Sequence, residues 1–489
     1  MKNAFLTLFF LFTLSSLLFA QTADDWVKSG IEKINSKDYD GAMADCNRAL
    51  AISPQSAWAF NVRGMAKHYL QRYADAIADY EEAIIIDPKY KTAWYNRGIS
   101  KHHLGRYTEA IADYDRAIEL DPQYASAYIN RGFSKDANGQ YADAISDYDR
   151  GIAINPRDAA AYNSRGLAYK HLARYSEAIA DYDQAIAVDP GYTDAWYNRG
   201  LAKDKLGRYA DAIADYDRVI ALDPGDKYAW YARGYAKNEL ENYADAISDY
   251  TQDISLDPRN ADAWFSRGHA KASLGNYAGA IEDYSQVIVL NPKDKTAYNN
   301  RGYAKNNLGN YPDAIADFDQ AISLDGQYAL AYNNRGLAKN NLEHYTEAIT
   351  DYNAAITFDP KLSIAFYNRA LAKYYLGQYA DAVADNDQAI ALYPNYVSAY
   401  NNRGLAKSYL GRYADAIVDY DRTIALDPKY SLAYNNRGYS YFKMGKTKEN
   451  YRKAIADYDM ALQVGGGSYK PAFQYRDDAV AAMDKAEGQ

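Results

Sequence analysis

From Ala23 onward the sequence returns to itself every 34 residues, and this recurrence restricts the possible folds more than any other feature of the chain. The segment Ala93-Trp94-Tyr95-Asn96-Arg97-Gly98 comes back as Ala195-Trp196-Tyr197-Asn198-Arg199-Gly200 and as Ala399-Tyr400-Asn401-Asn402-Arg403-Gly404. Thirteen copies begin at 23, 57, 91 and so on to 431, the last with four extra residues within Lys446 to Arg452. Composition follows from the copying: 52 Tyr beside 13 Phe is what one tyrosine-bearing unit gives when repeated.

Each copy holds two bursts of apolar and small residues at helical spacing. A Gly-x-Tyr turn separates them, as at Gly105-Arg106-Tyr107. Asp-Pro closes the second burst, as at Asp121-Pro122, because proline ends one helix and leads into the next. A lone hairpin of this size cannot bury its apolar face, so stacked neighbours must supply the core. The expectation is an all-α chain forming one solenoid rather than a string of separate domains.

With each copy numbered 1 to 34, position 8 is Gly in twelve of thirteen repeats, Ala370 being the exception. Positions 17 and 20 are Tyr and Ala throughout. Position 24 is aromatic except at Cys46 and Asn386, and position 32 is Pro except at Gly326 and Gly466. This pattern resembles the tetratricopeptide repeat family over about nine tenths of the chain. The resemblance implies a right-handed α-solenoid superhelix of tandem helical hairpins across residues 23–468. Residues 469–489 read as a capping helix, apolar at Ala472, Phe473, Ala479, Val480 and Met483.

Two columns depart from the family habit. Position 7 is Arg from Arg63 and Arg97 through Arg437, and position 23 is Asp in every repeat. The first repeat has Ser29 in place of the arginine, and the tail supplies Arg476. That offset predicts a forward ladder, in which Asp79 bonds Arg97 and Asp113 bonds Arg131, fixing the stacking register. Position 11 is Lys in eleven repeats, with Tyr169 and Tyr441 the exceptions, and the sequence assigns these lysines no partner.

The first twenty residues are a separate object. Lys2 precedes a mostly apolar run that ends in Leu18-Phe19-Ala20, the layout of a secretory signal cleaved after Ala20. Retention as an anchor is the alternative, although the run is short for a span. The expected setting is periplasmic or secreted, with no membrane span once the signal is removed. One cysteine, Cys46, excludes an intrachain disulfide framework. A net charge of -9 argues against nucleic acid.

No phosphate loop, Ser-His-Asp set or glycine-rich nucleotide fingerprint is present, so neither an enzyme nor a cofactor is expected. His68 and His102 share a position in adjacent repeats, but His103 is expected to point elsewhere, leaving a metal site without enough ligands. Cys46, at an aromatic position, reads as a buried small residue.

In the family, positions 2, 5, 6, 9, 12 and 13 of the first helix line a concave groove. The lysine and asparagine clamp of chaperone-binding members is absent. Position 6 carries asparagines, and a comparable ladder elsewhere in the family contacts the backbone of extended peptides. An amide can serve a peptide group as donor and acceptor. Across repeats 9–13 the groove positions other than 6 are uncharged except Lys443, whereas repeats 4–8 carry seven charges there. The predicted surface is therefore Asn300, Asn334, Asn368, Asn402 and Asn436 with Tyr303, Tyr367, Tyr375, Tyr409 and Tyr439, centred on Asn334, Asn368 and Asn402. It suits a neutral extended segment of a protein or peptide partner. A glycan, in polysaccharide export, and self-assembly are the alternatives.

Overall fold

The computed structural model describes residues 21–445, 447–465 and 470–487. The signal segment therefore lies outside the described residues. Among the described residues there are 27 helices and no strand. The chain divides into two compact units, residues 1–241 and 242–489. Within each unit, consecutive helices pair as antiparallel hairpins and each hairpin packs on the next, so each unit is an α-solenoid.

A repeat shows how sequence sets the hairpin. The first helix of repeat 3 runs Lys91–His103 and the second Tyr107–Leu120. Between them Gly105 adopts φ 72°, the left-handed conformation that lets the chain reverse after a helix C-terminus. Lys37, Gln71, Ala173, Glu241 and Glu343 take the same conformation without glycine's freedom.

The hairpin closes on a lock between positions 8 and 24. A Cβ on Gly64 would lie 2.6 Å from the Tyr80 ring, and one on Gly98 would lie 2.8 Å from Tyr114. The absence of a side chain lets the ring lie flat against the first helix, where Tyr80 and Tyr114 are fully buried. Repeat 1 keeps the glycine, Gly30, but packs it on Cys46, whose thiol burial pushes up to about 12. Repeat 11 changes both partners: Ala370 stands at position 8 and Asn386, also buried, at position 24.

The polar lattice differs from the forward ladder expected of position 23. Beyond the first repeat these aspartates bond the arginine of their own repeat, as Arg63 to Asp79, Arg97 to Asp113 and Arg131 to Asp147, each through two parallel N–H···O bonds. The reason is geometric. Position 23 faces the first helix of its own hairpin, whereas position 25, two residues on, turns toward the next repeat. The forward bond does exist, from that second site. The third arginine nitrogen reaches back to the preceding repeat, Arg131 to Asp115 at 2.6 Å and Arg437 to Asp421 at 2.5 Å. Where position 25 is neutral, Arg63 donates to Asn47 and Arg267 to Thr251 instead. One guanidinium thus joins two helices of its own hairpin to the hairpin before it. The aromatic at position 4 lies under it, with Trp94 and Trp196 4.7 and 4.6 Å from the guanidinium carbon.

The lysines of position 11 complete the same site. Lys101 reaches Asp113 at 2.8 Å, Lys203 reaches Asp215 at 2.7 Å and Lys407 reaches Asp419 at 2.8 Å. In the first repeat Ser29 and Lys33 hold Asp45. Tyrosine replaces the lysine at Tyr169 and Tyr441, and in those two repeats burial pushes the carboxyls of Asp181 and Asp457 above the usual range. The final helix, Lys470–Glu487, packs on Lys448–Val464. Arg476 there takes Asp459 at 2.6 Å, the partner a fourteenth repeat's arginine would hold. Within this helix Ala479 is buried, but Phe473 is exposed.

Candidate functional site

Equivalent recesses open between repeats 2 and 3, 8 and 9, and 12 and 13, on the face carrying the first helices. The aromatic of position 24 forms the floor, positions 9, 12 and 13 of one repeat form one wall, and positions 6 and 9 of the next form the other. Between repeats 2 and 3 the lining is Met65, His68, Tyr69, Tyr80, Asn96 and Ile99, around about 70 Å³. Between repeats 8 and 9 the recess grows to about 420 Å³, lined by His269, Ala272, Ser273, Tyr277, Tyr284, Asn300 and Tyr303. Position 12 explains the difference: the imidazole of His68 fills space that the methyl of Ala272 leaves open. Between repeats 12 and 13 about 160 Å³ remains, and Tyr475 of the final helix closes one side beside Tyr409, Asn436 and Tyr439.

The predicted groove residues divide by how firmly the fold already holds them. Asn334 donates from Nδ2 to Asn299 at 3.0 Å, Asn368 to Asn333 at 3.0 Å and Asn436 to Asn401 at 3.2 Å. These are bonds across repeat boundaries, from position 6 to position 5 of the repeat before. Asn299 and Asn333 in turn donate to Asn300 and Asn334. The amides therefore form a ladder within the protein, and Asn368, at the expected centre, is buried. Asn402 meets the hydroxyl of Tyr367 rather than an amide. For Asn300, position 5 of the preceding repeat is Phe265, which offers no acceptor, and Asn300 lines the large recess.

The tyrosines are more open. Tyr303, Tyr375 and Tyr409 are 43%, 54% and 58% exposed. Tyr375 stacks on Tyr345 at 5.1 Å between centroids, and Tyr409 on Tyr379 at 4.9 Å, so each ring is held with a face or edge free. Tyr367 is half-buried against Tyr396, and Tyr439 meets Tyr475 edge-on. His269, Ser273, Tyr277 and Tyr284 were not singled out from the sequence. The small residue at position 12, Ala272, was the available signal.

The histidines of repeats 2 and 3 make a packed cluster. His68 Nδ1 lies 2.8 Å from Ser100 Oγ, and His102 Nδ1 2.8 Å from Ser134 Oγ. Contrary to expectation, His103 does not point away: its ring meets His68 at 5.2 Å and stacks on Tyr73 at 5.1 Å. Burial and the neighbouring His103 hold His68 down at about 4. Among the described residues no group of three or more His, Cys, Asp or Glu could hold a metal ion. No described helix is long and apolar enough to cross a membrane.

Hairpins of this kind, locked by small residues against aromatics and presenting a row of recesses, define an all-α interaction scaffold of helical repeats. Sequence profiles agree. Tetratricopeptide repeat profiles match residues 62–125, 172–227, 197–261 and 367–407, and further profiles of the same repeat match 113–146, 137–172, 268–309, 296–328, 329–362 and 409–445. The chain belongs to the tetratricopeptide repeat family, whose solenoids are generally non-catalytic scaffolds that bind protein or peptide partners.

No curated protein matches the chain. Among solved structures it is similar to YrrB, a TPR protein with an unusual peptide-binding site, at 22% identity over 38% of this chain and 95% of that one, TM-score 0.36. It is also similar to yeast Tom70, at 16% identity over 88% and 96%, TM-score 0.42. A third similarity is to the C-terminal part of a TPR repeat-containing protein from Cytophaga hutchinsonii, at 19% identity over 49% and 98%, TM-score 0.45.

Proposed function

We propose that the protein is an exported, non-enzymatic scaffold of the bacterial envelope that binds an extended, uncharged peptide segment along the recessed face of repeats 9–13. The observation that carries this reading is the row of exposed tyrosines Tyr303, Tyr375 and Tyr409, the first of which lines a recess of about 420 Å³ together with Asn300. Rigid aromatic rings give contact area at little entropic cost, which is how peptide-binding surfaces gain affinity. Because the fold already holds Asn334 and Asn368 through the ladder, and Asn300 through Asn299 and Tyr284, the exposed tyrosines carry the binding and the asparagines keep their rings in register. Export rests on the charged start and apolar run of residues 1–20.

Selection of peptides from a displayed random library on the full chain tests the groove. Selected peptides should lose roughly tenfold or more in affinity to Tyr375→Ala/Tyr409→Ala, at about 1 kcal/mol or more per lost aromatic contact. Their binding should change little between low and high salt. Peptides indifferent to both substitutions would reject the groove. A mature N-terminus other than Gln21 on protein recovered from the producing cell would reject the processing site.

A further inference from the structure

Position 12 of repeats 4, 5 and 6 carries Asp136, Lys170 and Asp204, charges of alternating sign at the same place on three successive first helices, Ala125–Ala137, Ala159–His171 and Thr193–Lys205. Unlike the arginine lattice, none of the three sits within ion-pair distance of an opposite charge among the described residues. Asp136 Oδ1 and Asp204 Oδ1 are both buried without a hydrogen-bond partner. Asp204 Oδ2 accepts from Tyr216 Oη at 2.5 Å. Burial raises the carboxyl of Asp136, raises that of Asp204 to about 6 and lowers Lys170. Each group is thus held where its charge is disfavoured, with no opposite charge within bonding distance to compensate it.

The fold does not require these charges. The same position is Asn238, Ala272, Asn306, Asn340 and Ser408 in other repeats. We propose that the row is a second binding site, for an extended polypeptide segment presenting basic, acidic and basic side chains three residues apart. The spacing follows from packing. Successive first helices in this unit touch one another. Packed helix axes lie roughly 8–10 Å apart, and a chain in the extended polyproline II conformation covers that distance in about three residues at roughly 3.1 Å each while returning every third side chain to the same face. The pattern reads identically from either end, so it leaves the direction of the bound chain open.

The surroundings favour mixed charge over a purely basic ligand. Lys170 itself, with His171 and Lys205 at the neighbouring position 13, repels an unbroken run of cations. His171 and Lys205 act on Asp136 and Asp204 only through space, without bonding them. Glu239, beyond Asp204, strengthens the preference for a basic residue at that end. The site lies wholly within the N-terminal unit and is chemically opposite to the neutral surface of repeats 9–13, so the two accept different segments.

The test is calorimetric titration of the full chain with three capped heptapeptides. Arg-Ser-Ala-Glu-Ser-Ala-Arg carries the pattern, Arg-Arg-Ser-Ala-Ser-Ala-Glu has the same composition in another order, and Glu-Ser-Ala-Arg-Ser-Ala-Glu inverts the charges. The first should bind at least about tenfold tighter than either control, and the difference should shrink at high salt. Asp136→Asn/Asp204→Asn, which places at both sites a residue other repeats already carry there, should erase the preference without changing the melting curve. Lys170→Glu should shift it to Arg-Ser-Ala-Arg-Ser-Ala-Arg. Equal binding of the three peptides, no binding of any, or a preference that survives the double asparagine variant would overturn the proposal.

Discussion

Asn368 Nδ2 donates to Asn333 Oδ1 at 3.0 Å, joining residues 35 apart in sequence across the boundary between two repeats. The bond is buried, and Asn333 uses its own Nδ2 to hold Asn334. Truncating Asn368 leaves a buried acceptor without its donor. Asn368→Ala should therefore destabilise the protein by about 1–2 kcal/mol. Urea unfolding of Asn333→Ala, Asn368→Ala and the double variant should give a coupling energy on the order of 1 kcal/mol. Strictly additive losses would show that the bond contributes nothing.

Asp204 gives the fold a pH dependence of definite sign. Its carboxyl titrates at about 6 in the folded chain, against about 3.9 when unfolded. Between those values the native state keeps a proton that the unfolded state has lost, so stability falls as pH rises from about 4 to about 6 and stays reduced above. Asp204→Asn keeps an acceptor for Tyr216 and removes the titration. The variant should match the native protein near pH 4 and exceed it at pH 7 by at most about 3 kcal/mol, solvent screening reducing that figure. Denaturant midpoints at four pH values are sufficient to check this.

Repeat 11 offers a compensation test. In its sister repeats with a ring at position 24, a Cβ at position 8 would lie 2.6 to 3.1 Å from that ring. Asn386→Tyr alone should therefore drive a ring against the Ala370 methyl and cost about 1–3 kcal/mol. Ala370→Gly alone loses about 0.5–1 kcal/mol of helix stability. Together they should restore the pattern of the other repeats and bring stability back to the native level or above, since Asn386 Oδ1 is buried without a partner. Thermal melts that show additive damage would mean the two positions do not meet.

At the hairpin turns, Glu343 holds φ 64° while Gly309 and Gly377 occupy the same position in neighbouring repeats. The left-handed conformation costs a side-chain-bearing residue about 1–2 kcal/mol. Glu343 is exposed, so no packing opposes its removal. Glu343→Gly should raise the melting temperature by a few degrees, about 0.5–1 kcal/mol after glycine's extra unfolded freedom is subtracted. A lower melting temperature would indicate that the glutamate is held by contacts.

Helical hairpins could be read directly from sequence because their determinants are local and repeated. Gly98 and Tyr114 lie sixteen residues apart in one hairpin, and each copy states the same packing again. The ion lattice was harder. Asp113 and Asp115 are both aspartates in the same helix, and only the rotation of that helix against its neighbours decides which one Arg97 takes and which one Arg131 takes. The missing arginine in repeat 1 and the extra one in the tail pointed correctly to a bond between repeats but did not show which carboxylate makes it. The groove was least legible. Asn334 and Asn368 look alike in sequence whether they face a ligand or the preceding repeat, and the large recess arises from a methyl at Ala272, an absence of bulk rather than a chemical signature.

The arginine bridge also makes the protein's length adjustable in whole steps. Every internal repeat hands one charged or polar partner backward and receives one from ahead, while Ser29 serves as a start that asks for nothing behind it and Arg476 as a stop that answers the last request. A gene duplication or loss of one 34-residue unit between those ends leaves the accounts of charge closed on both sides of the junction. A gain or loss that is not a multiple of 34 residues instead strands a buried aspartate from its arginine. Unequal recombination in register is therefore tolerated by the chemistry of the lattice, and drift out of register is removed by it, so that the reach of the scaffold can change between generations while its repeat does not.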